Sequence, residues 1–379
     1  MTDTQAGNPL GGGEPMTRTL KTLVLVLALA VVGVACGDSG DDAPATTAAP
    51  ATTAAPATTA APTTTMAPED PISLIYVSPN PLGVNNFLIL GEVGTQRVAD
   101  RRGGTWKTFE SVDDSTRRAN IEAAIDEAPD IVVLTTFTLV EMADEYSKAN
   151  PDQKFIIIDA CPDEPAPNLH CGVFREHEGA FLLGVMAGHL SEAKQIGSVV
   201  ALDIPFFKRW WQSFAEGAQS VDASIENSAV FIAGDNPFSD PARAKELALS
   251  LAAQGLDHIF AVGAGSNGGV FEAAEEADFL SYGVDVNECP SAPGRIVDNN
   301  LKLVDAVVEQ LIEQVLDGTA GPVVSFGLAE GGTGVMALHP DLATSQCVIA
   351  DHPDIIEEVQ ATAEGIIDGS IVVNDPLFG

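Results

Sequence analysis

Basic side chains are in short supply: 18 Lys and Arg stand against 54 Asp and Glu, a formal net charge of −36. Contact with phosphate needs a basic face that displaces counterions, so this balance excludes nucleic acid polymers and anionic lipid headgroups as partners. So many carboxylates read as a solvated, self-repelling surface rather than a cation store. Histidine is sparse as well, with 6 residues and no close His/Cys/Asp grouping, which argues against metal catalysis. A nucleophile elbow, paired metal-ligand histidines and a phosphate-binding P-loop are all missing, so neither an enzyme nor a cofactor is expected. Aromatics make up 6% of the chain and tryptophan occurs 3 times. The 45% hydrophobic fraction, rich in Ala, Val and Leu, is that of an ordinary globular body.

The apolar stretch Leu23–Val34 is too short for a comfortable membrane span. It follows Met16 and the basic residues Arg18 and Lys21, and it runs into Gly33-Val34-Ala35-Cys36. A basic n-region, a short apolar core and small residues at its end form an export signal. Small residues just before Cys36 resemble a bacterial lipobox, in which the cysteine is acylated and becomes the mature N-terminus. A start at Met16 fits such a signal, with residues 1–15 an aperiodic leader. After Cys36 come three copies of Ala-Thr-Thr-Ala-Ala-Pro, from Ala45 to Pro62. Such a segment buries nothing that offsets its conformational entropy, and its prolines keep it extended. Residues 1–36 are therefore expected to be extension plus lipoprotein signal, and residues 37–70 a tether lifting the body off the membrane.

With Cys36 set aside, Cys161, Cys171, Cys289 and Cys347 remain. An even number outside the cytoplasm predicts disulfides. A local bridge between Cys161 and Cys171 would pin the proline-rich loop PDEPAPNLH, which leaves Cys289 for Cys347. The spacing is no zinc pattern, and the only histidine nearby is His170.

Roughly 310 residues follow the tether, more than one small core usually covers, so two lobes are expected. Apolar strands are predicted at 73–77, 105–109, 130–136, 154–159, 196–202, 228–234, 258–263 and 281–285. Helical stretches alternate with them near 87–99, 115–127, 138–149, 178–193, 208–219, 240–254 and 268–277, and further helices are predicted at 300–316 and 353–368. Continuous apolar strands alternating with helices give an α/β fold of two doubly wound parallel-sheet lobes. A ligand in such sheets sits beyond the carboxyl ends of the strands. That rule selects Ser78–Phe87, Glu110-Ser111, Phe137, Asp159, Asp203–Trp211, Asp235–Asp240, Gly263–Gly269 and Asp285.

Gly263-Ala264-Gly265-Ser266-Asn267-Gly268 matches GxGxxG between a strand and a helix, with Asp285 further on. In an exported protein, late in the chain, the pattern reads as a tight turn lining a cleft rather than as a dinucleotide fingerprint. Its helix-start N–H groups can hold a hydroxyl or anionic oxygen. The segment Pro205-Phe206-Phe207-Lys208-Arg209-Trp210-Trp211 carries four aromatics after a strand. Core packing and stacking on a flat ligand compete for Trp210.

Several segments then match a family in order. They include Phe109-Glu110-Ser111, Ile157-Ile158-Asp159, the run from Phe174 through Arg175, Glu176, His177, Glu178, Gly179, Ala180, Phe181, Leu182 and Leu183 to Gly184, then Gly263-Ala264-Gly265, Tyr282-Gly283-Val284-Asp285 and Lys302-Leu303-Val304-Asp305. Over about residues 72–338 the chain resembles the basic membrane protein family of ABC-importer lipoproteins, which includes purine nucleoside receptors. The resemblance implies a type I periplasmic-binding-protein fold, with a three-crossover hinge that closes on ligand. It implies that Phe87 and Trp210 sandwich a base, that Asp159 faces its polar edge, and that Asp285 and Lys302 bind sugar hydroxyls. Gly263 and Gly265 would lie against the sugar. Ser78 stands where the family has Asp, and Leu88 follows Phe87 where Asn is usual. A site that reads a polar group is intolerant of its loss, so this loop marks where the ligand set departs from the family's. Asn85 and Asn86 are the replacements at hand.

The expected protein is a monomeric, extracytoplasmic solute-binding lipoprotein, anchored through Cys36 to the outer face of the cell membrane. It would capture a small polar ring-containing solute, nucleoside-like in character, for the permease of an ABC importer. The alternative is a ligand-sensing receptor of the same fold serving a membrane signalling partner. Residues 71–193 are assigned to the first lobe, with 289–327 returning to it, and 194–288 to the second, with 328–379 returning.

Overall fold

The computed structural model of the protein describes residues 71–83 and 85–378, so the expected signal, Cys36 and the tether lie outside the described residues. The first lobe begins with β1 (Ser73–Ser78), α1 (Asn86–Arg101), β2 (Thr105–Glu110) and α2 (Asp114–Asp126). It continues with β3 (Ile131–Thr135), α3 (Val140–Ala149), β4 (Lys154–Ile158) and β5 (Leu169–Phe174). The second lobe is built from α4 (Glu176–Leu190), β6 (Gln195–Val200), α5 (Lys208–Val221), β7 (Glu226–Phe231) and α6 (Pro241–Ala252). After these come β8 (His258–Val262), α7 (Asn267–Ala277), β9 (Leu280–Asp285) and β10 (Ile296–Lys302). The chain returns to the first lobe for α8 (Val304–Leu316) and β11 (Val323–Phe326), then ends in the second with β12 (Thr333–Val335) and α9 (Pro353–Asp368).

Each lobe carries a six-stranded sheet, ordered β11-β5-β4-β3-β1-β2 and β12-β10-β9-β8-β6-β7. All pairs are parallel except β10–β12. Parallel strands buried on both faces explain why β3 (IVVLT) is apolar almost throughout and shows no alternation. In the first lobe, Leu74, Tyr76, Ile156 and Ile158 face α1 and α8, while Ile75, Val77, Phe155 and Ile157 face the α2 and α3 side. The second lobe has one continuous core, into which α4 packs against α5. A methyl group on Gly184 or Gly217 would strike the facing helix backbone, so these glycines set that close approach. Local signals agree with the ends of the helices. Asp113 and Thr116 close a capping box on α2, Asp240 caps α6 ahead of Pro241, and Gly369 at φ 81° terminates α9.

The crossings fall at Arg175, at Leu303 and between Phe326 and Thr333. They differ from the expected divisions at two places. Helix α4 already belongs to the second lobe, and β10 joins the second sheet, so the return to the first lobe starts near residue 303 rather than 289. The helix expected from 300 starts at Val304, because residues 296–302 form a fully buried strand. Its polar middle disguises it, and each polar side chain is answered. Asp298 accepts from Met336 N and Ala337 N at 2.7 Å each, and Asn300 Nδ2 donates to the Glu176 carbonyl at 3.0 Å. The edge strands β11 and β12 and strand β5 also lie outside the predicted set. The structure contains both expected disulfides, Cys161–Cys171 and Cys289–Cys347.

Candidate ligand-binding cleft

The carboxyl ends of both sheets face one cleft of about 670 Å³, counted to its open mouth. Four non-glycine residues that line the cleft at these strand ends hold positive φ: Thr136 at 71°, Asp159 at 95°, Ala264 at 49° and Asp285 at 68°. Such conformations cost free energy and persist where surrounding structure fixes them, commonly at binding sites. Here they turn the chain sharply off β3, β4, β8 and β9, and all four residues line the cleft.

Lys302, at the end of β10, is the electrostatic centre. Its ammonium pairs with the Asp159 carboxylate of the first lobe and lies 2.8 Å from Glu176 Oε1, an ion-pair contact without hydrogen-bond alignment. Four rings surround it, with Nζ 5.0 Å from the centroid of Phe87, 4.6 Å from Phe174, 5.6 Å from Phe206 and 5.2 Å from Trp210. Burial alone would pull the ammonium pKa down. The carboxylates of Asp159, Glu176 and Asp285 outweigh that, so Lys302 is held protonated, above the ordinary lysine range. Burial pushes Asp285 up to about 6, with Lys302 opposing and Asp159 and Glu176 adding to the rise. Burial likewise raises Asp159, against the pull of Lys302.

The aromatic wall continues from the second lobe into the first. Phe137, after β3, meets Phe206 at 5.6 Å and Phe207 at 6.4 Å, and Phe238 packs on Phe207 at 6.0 Å. The polar wall comes from the loop after β1, where Asn80 and Asn85 line the cleft. Arg117 holds that loop through Pro79 O at 2.8 Å and Asn80 Oδ1 at 3.0 Å, while Glu110 Oε2 accepts from Leu82 N at 2.7 Å. Asn85 is also the cap of α1, accepting from Leu88 N at 3.4 Å. The buried Ser78 hydroxyl turns back onto Asn80 O at 2.6 Å and does not line the cleft.

Of the residues expected at the site, Phe87, Asp159, Trp210, Asp285 and Lys302 are brought together. Asn86 and Gly265 line an adjoining cavity instead, and Gly263 lines neither: its N–H donates to Asn267 Oδ1 at 2.8 Å, closing the turn ahead of α7. Sequence reasoning did not single out Glu176 and Phe174 as neighbours of the site, whereas Phe238 falls in the strand-end segment Asp235–Asp240. Glu176 and Phe174 flank the first crossing, and their approach to Lys302 depends on β10 being a strand.

Two α/β lobes joined by three crossings, with an aromatic cleft between their strand ends, define a solute-binding protein of the type I periplasmic class. The chain belongs to the Bmp family, ABC transporter substrate-binding proteins described as PnrA-like, which it matches over residues 91–368. It is 26% identical to the ABC transporter nucleoside-binding protein BmpA of Lactococcus lactis, over 72% of this chain and 79% of that one. It is 28% identical to an uncharacterized lipoprotein of Pyrococcus horikoshii over 54% of this chain and 53% of that protein. Among solved structures it resembles an ABC transporter solute-binding protein from Aeropyrum pernix, with a TM-score of 0.68 and 25% identity, covering 80% of this chain and 94% of that one.

Proposed function

We propose that this protein captures a nucleoside-like solute in the cleft outside the cell membrane and delivers it to the permease of an ABC importer. The observation that carries the reading is the convergence of Phe87, Trp210, Asp159, Asp285 and Lys302 on one cleft. The rings supply flat apolar surface for a base. Asp159 takes donors on the polar edge of the base, and Asp285 and Lys302 hold adjacent hydroxyls of a sugar, one accepting and one donating. Because Asp159 and Lys302 belong to opposite lobes, a ligand bound by both favours the closed arrangement. The nucleoside-binding relative supports the same ligand class.

A thermal-shift panel of nucleosides, flavins, sugars and amino acids tests this. A ligand at a hundred times its Kd stabilises by about 2.7 kcal/mol, a rise in Tm of roughly 4 °C for a body this size. Nucleosides should give that rise; no shift with any nucleoside refutes the ligand class. Anchoring through acylated Cys36 is part of the proposal, and a Cys36→Ser variant should leave the membrane fraction for the medium. Retention in the membrane would contradict the anchor.

A further inference from the structure

The segment after α9 runs back to the first crossing between the lobes, where Asp375 meets Arg209 of α5. The Asp375 carboxylate accepts from Nε at 2.9 Å and from Nη2 at 2.6 Å, a two-point fork. The remaining nitrogen, Nη1, donates to Phe174 O at 3.0 Å and to Glu176 Oε2 at 3.2 Å. Arg209 and Glu176 are both buried. Glu176 is shared between two cations: Arg209 faces one oxygen, and Lys302 lies 2.8 Å from the other. The segment is held on either side of Asp375. Asn374 Nδ2 donates to Glu216 Oε1 at 3.0 Å, and the Phe378 ring lies 5.8 Å from the guanidinium carbon of Arg209. Burial keeps the neighbouring His177 below the ordinary histidine range, so Arg209 is the cation that Asp375 answers at pH 7. One row of alternating charge thus runs from Asp159 and Lys302 in the cleft through Glu176 and Arg209 to Asp375. Glu176, Arg209 and Asp375 do not line the cleft themselves.

We infer that Asp375 is a positioning residue for ligand capture, acting through Arg209 and Glu176 to hold Lys302 at its place in the cleft. The inference rests on the proposed role of Lys302 as a ligand contact. A buried guanidinium needs a partner for its charge. With Asp375 in place, Nε and Nη2 are engaged, and Glu176 keeps one oxygen for Lys302. Without it, Glu176 is the only carboxylate among the described residues still paired with Arg209. The pull between those two then strengthens and draws the shared carboxylate away from Lys302. Asp159 alone is left to place the ammonium, which shifts from where it meets the ligand. Arg209 Nη1 also ties α5 to the end of β5, so the same loss loosens the first crossing. The C-terminal segment in this way sets affinity from behind the cleft without touching the ligand.

The experiment compares wild type, Asp375→Asn, Glu176→Gln and the double variant, each shown to be folded by its urea transition. Calorimetric titration with adenosine and guanosine at pH 7 should find Asp375→Asn binding about tenfold more weakly than wild type. In the Glu176→Gln background the same change should cost less than about twofold, because the group through which it acts no longer carries charge. Hydrogen exchange in the unliganded proteins gives a second readout at the Glu178 N–H, which donates to Arg175 O at 3.1 Å beside the first crossing. In Asp375→Asn its exchange should quicken about tenfold more than that of amides within β3, which report global stability. A purely structural role for Asp375, or an effect passed along α5 to Trp210, would add equally in both backgrounds. Affinity within about twofold of wild type, equal losses in the two backgrounds, or exchange at Glu178 that changes no more than in β3 overturns the positioning role and leaves capture standing. If neither nucleoside binds wild type, the capture reading fails, and the exchange result alone decides the link from Asp375 to the crossing.

Discussion

Replacing Lys302 by methionine removes the cation paired with buried Asp159 and one of the two, with Arg209, that face buried Glu176. The lysine side chain and that of Asp159 are each 6% exposed, and Glu176 is 1% exposed. Methionine fills similar volume among Phe87, Phe174, Phe206 and Trp210, so lost packing contributes little. The cost comes from charge: breaking a buried pair by deleting one partner takes about 3–5 kcal/mol. For a body of this size that lowers Tm by roughly 5–8 °C. The loss is read by urea denaturation at pH 7 and by scanning calorimetry. Without Lys302, the Asp159 carboxyl loses the partner that opposed its rise, so its folded pKa climbs further above the unfolded value. The destabilisation is therefore present at neutral pH and fades as pH falls toward the unfolded carboxylate range near about 4. Adding Asp159→Asn to Lys302→Met should recover part of the loss. A Lys302→Met protein within about 1 kcal/mol of wild type, or a double variant less stable than the single one, would refute the reading of Lys302 as the electrostatic centre.

Trp210 is 5% exposed yet lines the cleft, so Trp210→Ala should cost both stability, by about 3–5 kcal/mol, and ligand affinity, by roughly ten- to a hundredfold. Trp210→Phe should keep most of both, and unchanged affinity in folded Trp210→Ala removes this residue from the site. Hydroxyl donors favour the ionised form of Asp285, whose carboxyl stands at about 6 in the free protein. Nucleoside affinity should therefore be full above about pH 7 and fall up to about tenfold per unit below 6, with proton release on binding seen in buffers of different ionisation enthalpy; a flat profile from pH 5 to 8 contradicts that role. Serine pairs in place of each disulfide should destabilise unequally, by about 4 kcal/mol for Cys289–Cys347 with its separation of 58 and about 3 kcal/mol for Cys161–Cys171 with its separation of 10. Equal losses in urea denaturation would argue against loop closure as the source.

Much of this architecture was legible in the chain because buried parallel strands write themselves as unbroken apolar runs. Segments such as SLIYV and KFIII could be placed within a residue or two. The strand from Ile296 to Lys302 was hidden for the opposite reason: Asp298, Asn299, Asn300 and Lys302 are polar yet buried, paid for by partners distant in sequence such as Met336, Glu176 and Asp159. Misreading that strand moved the second crossing and concealed the approach of Glu176 to Lys302. The rule that ligands sit beyond strand ends did locate Phe87, Asp159, Trp210 and Asp285, because it depends only on strand order. The division of the glycine-rich turn between two cavities depends on the exact path of Ala264–Ser266, a short 3₁₀ turn that no spacing reveals.

The most direct test of the account is a crystal structure with a nucleoside that passes the thermal-shift panel. The account predicts its base between Phe87 and Trp210, its polar edge on Asp159, and its sugar hydroxyls on Asp285 and Lys302. A nucleoside bound elsewhere, or in the cleft with its base away from both rings, would contradict it.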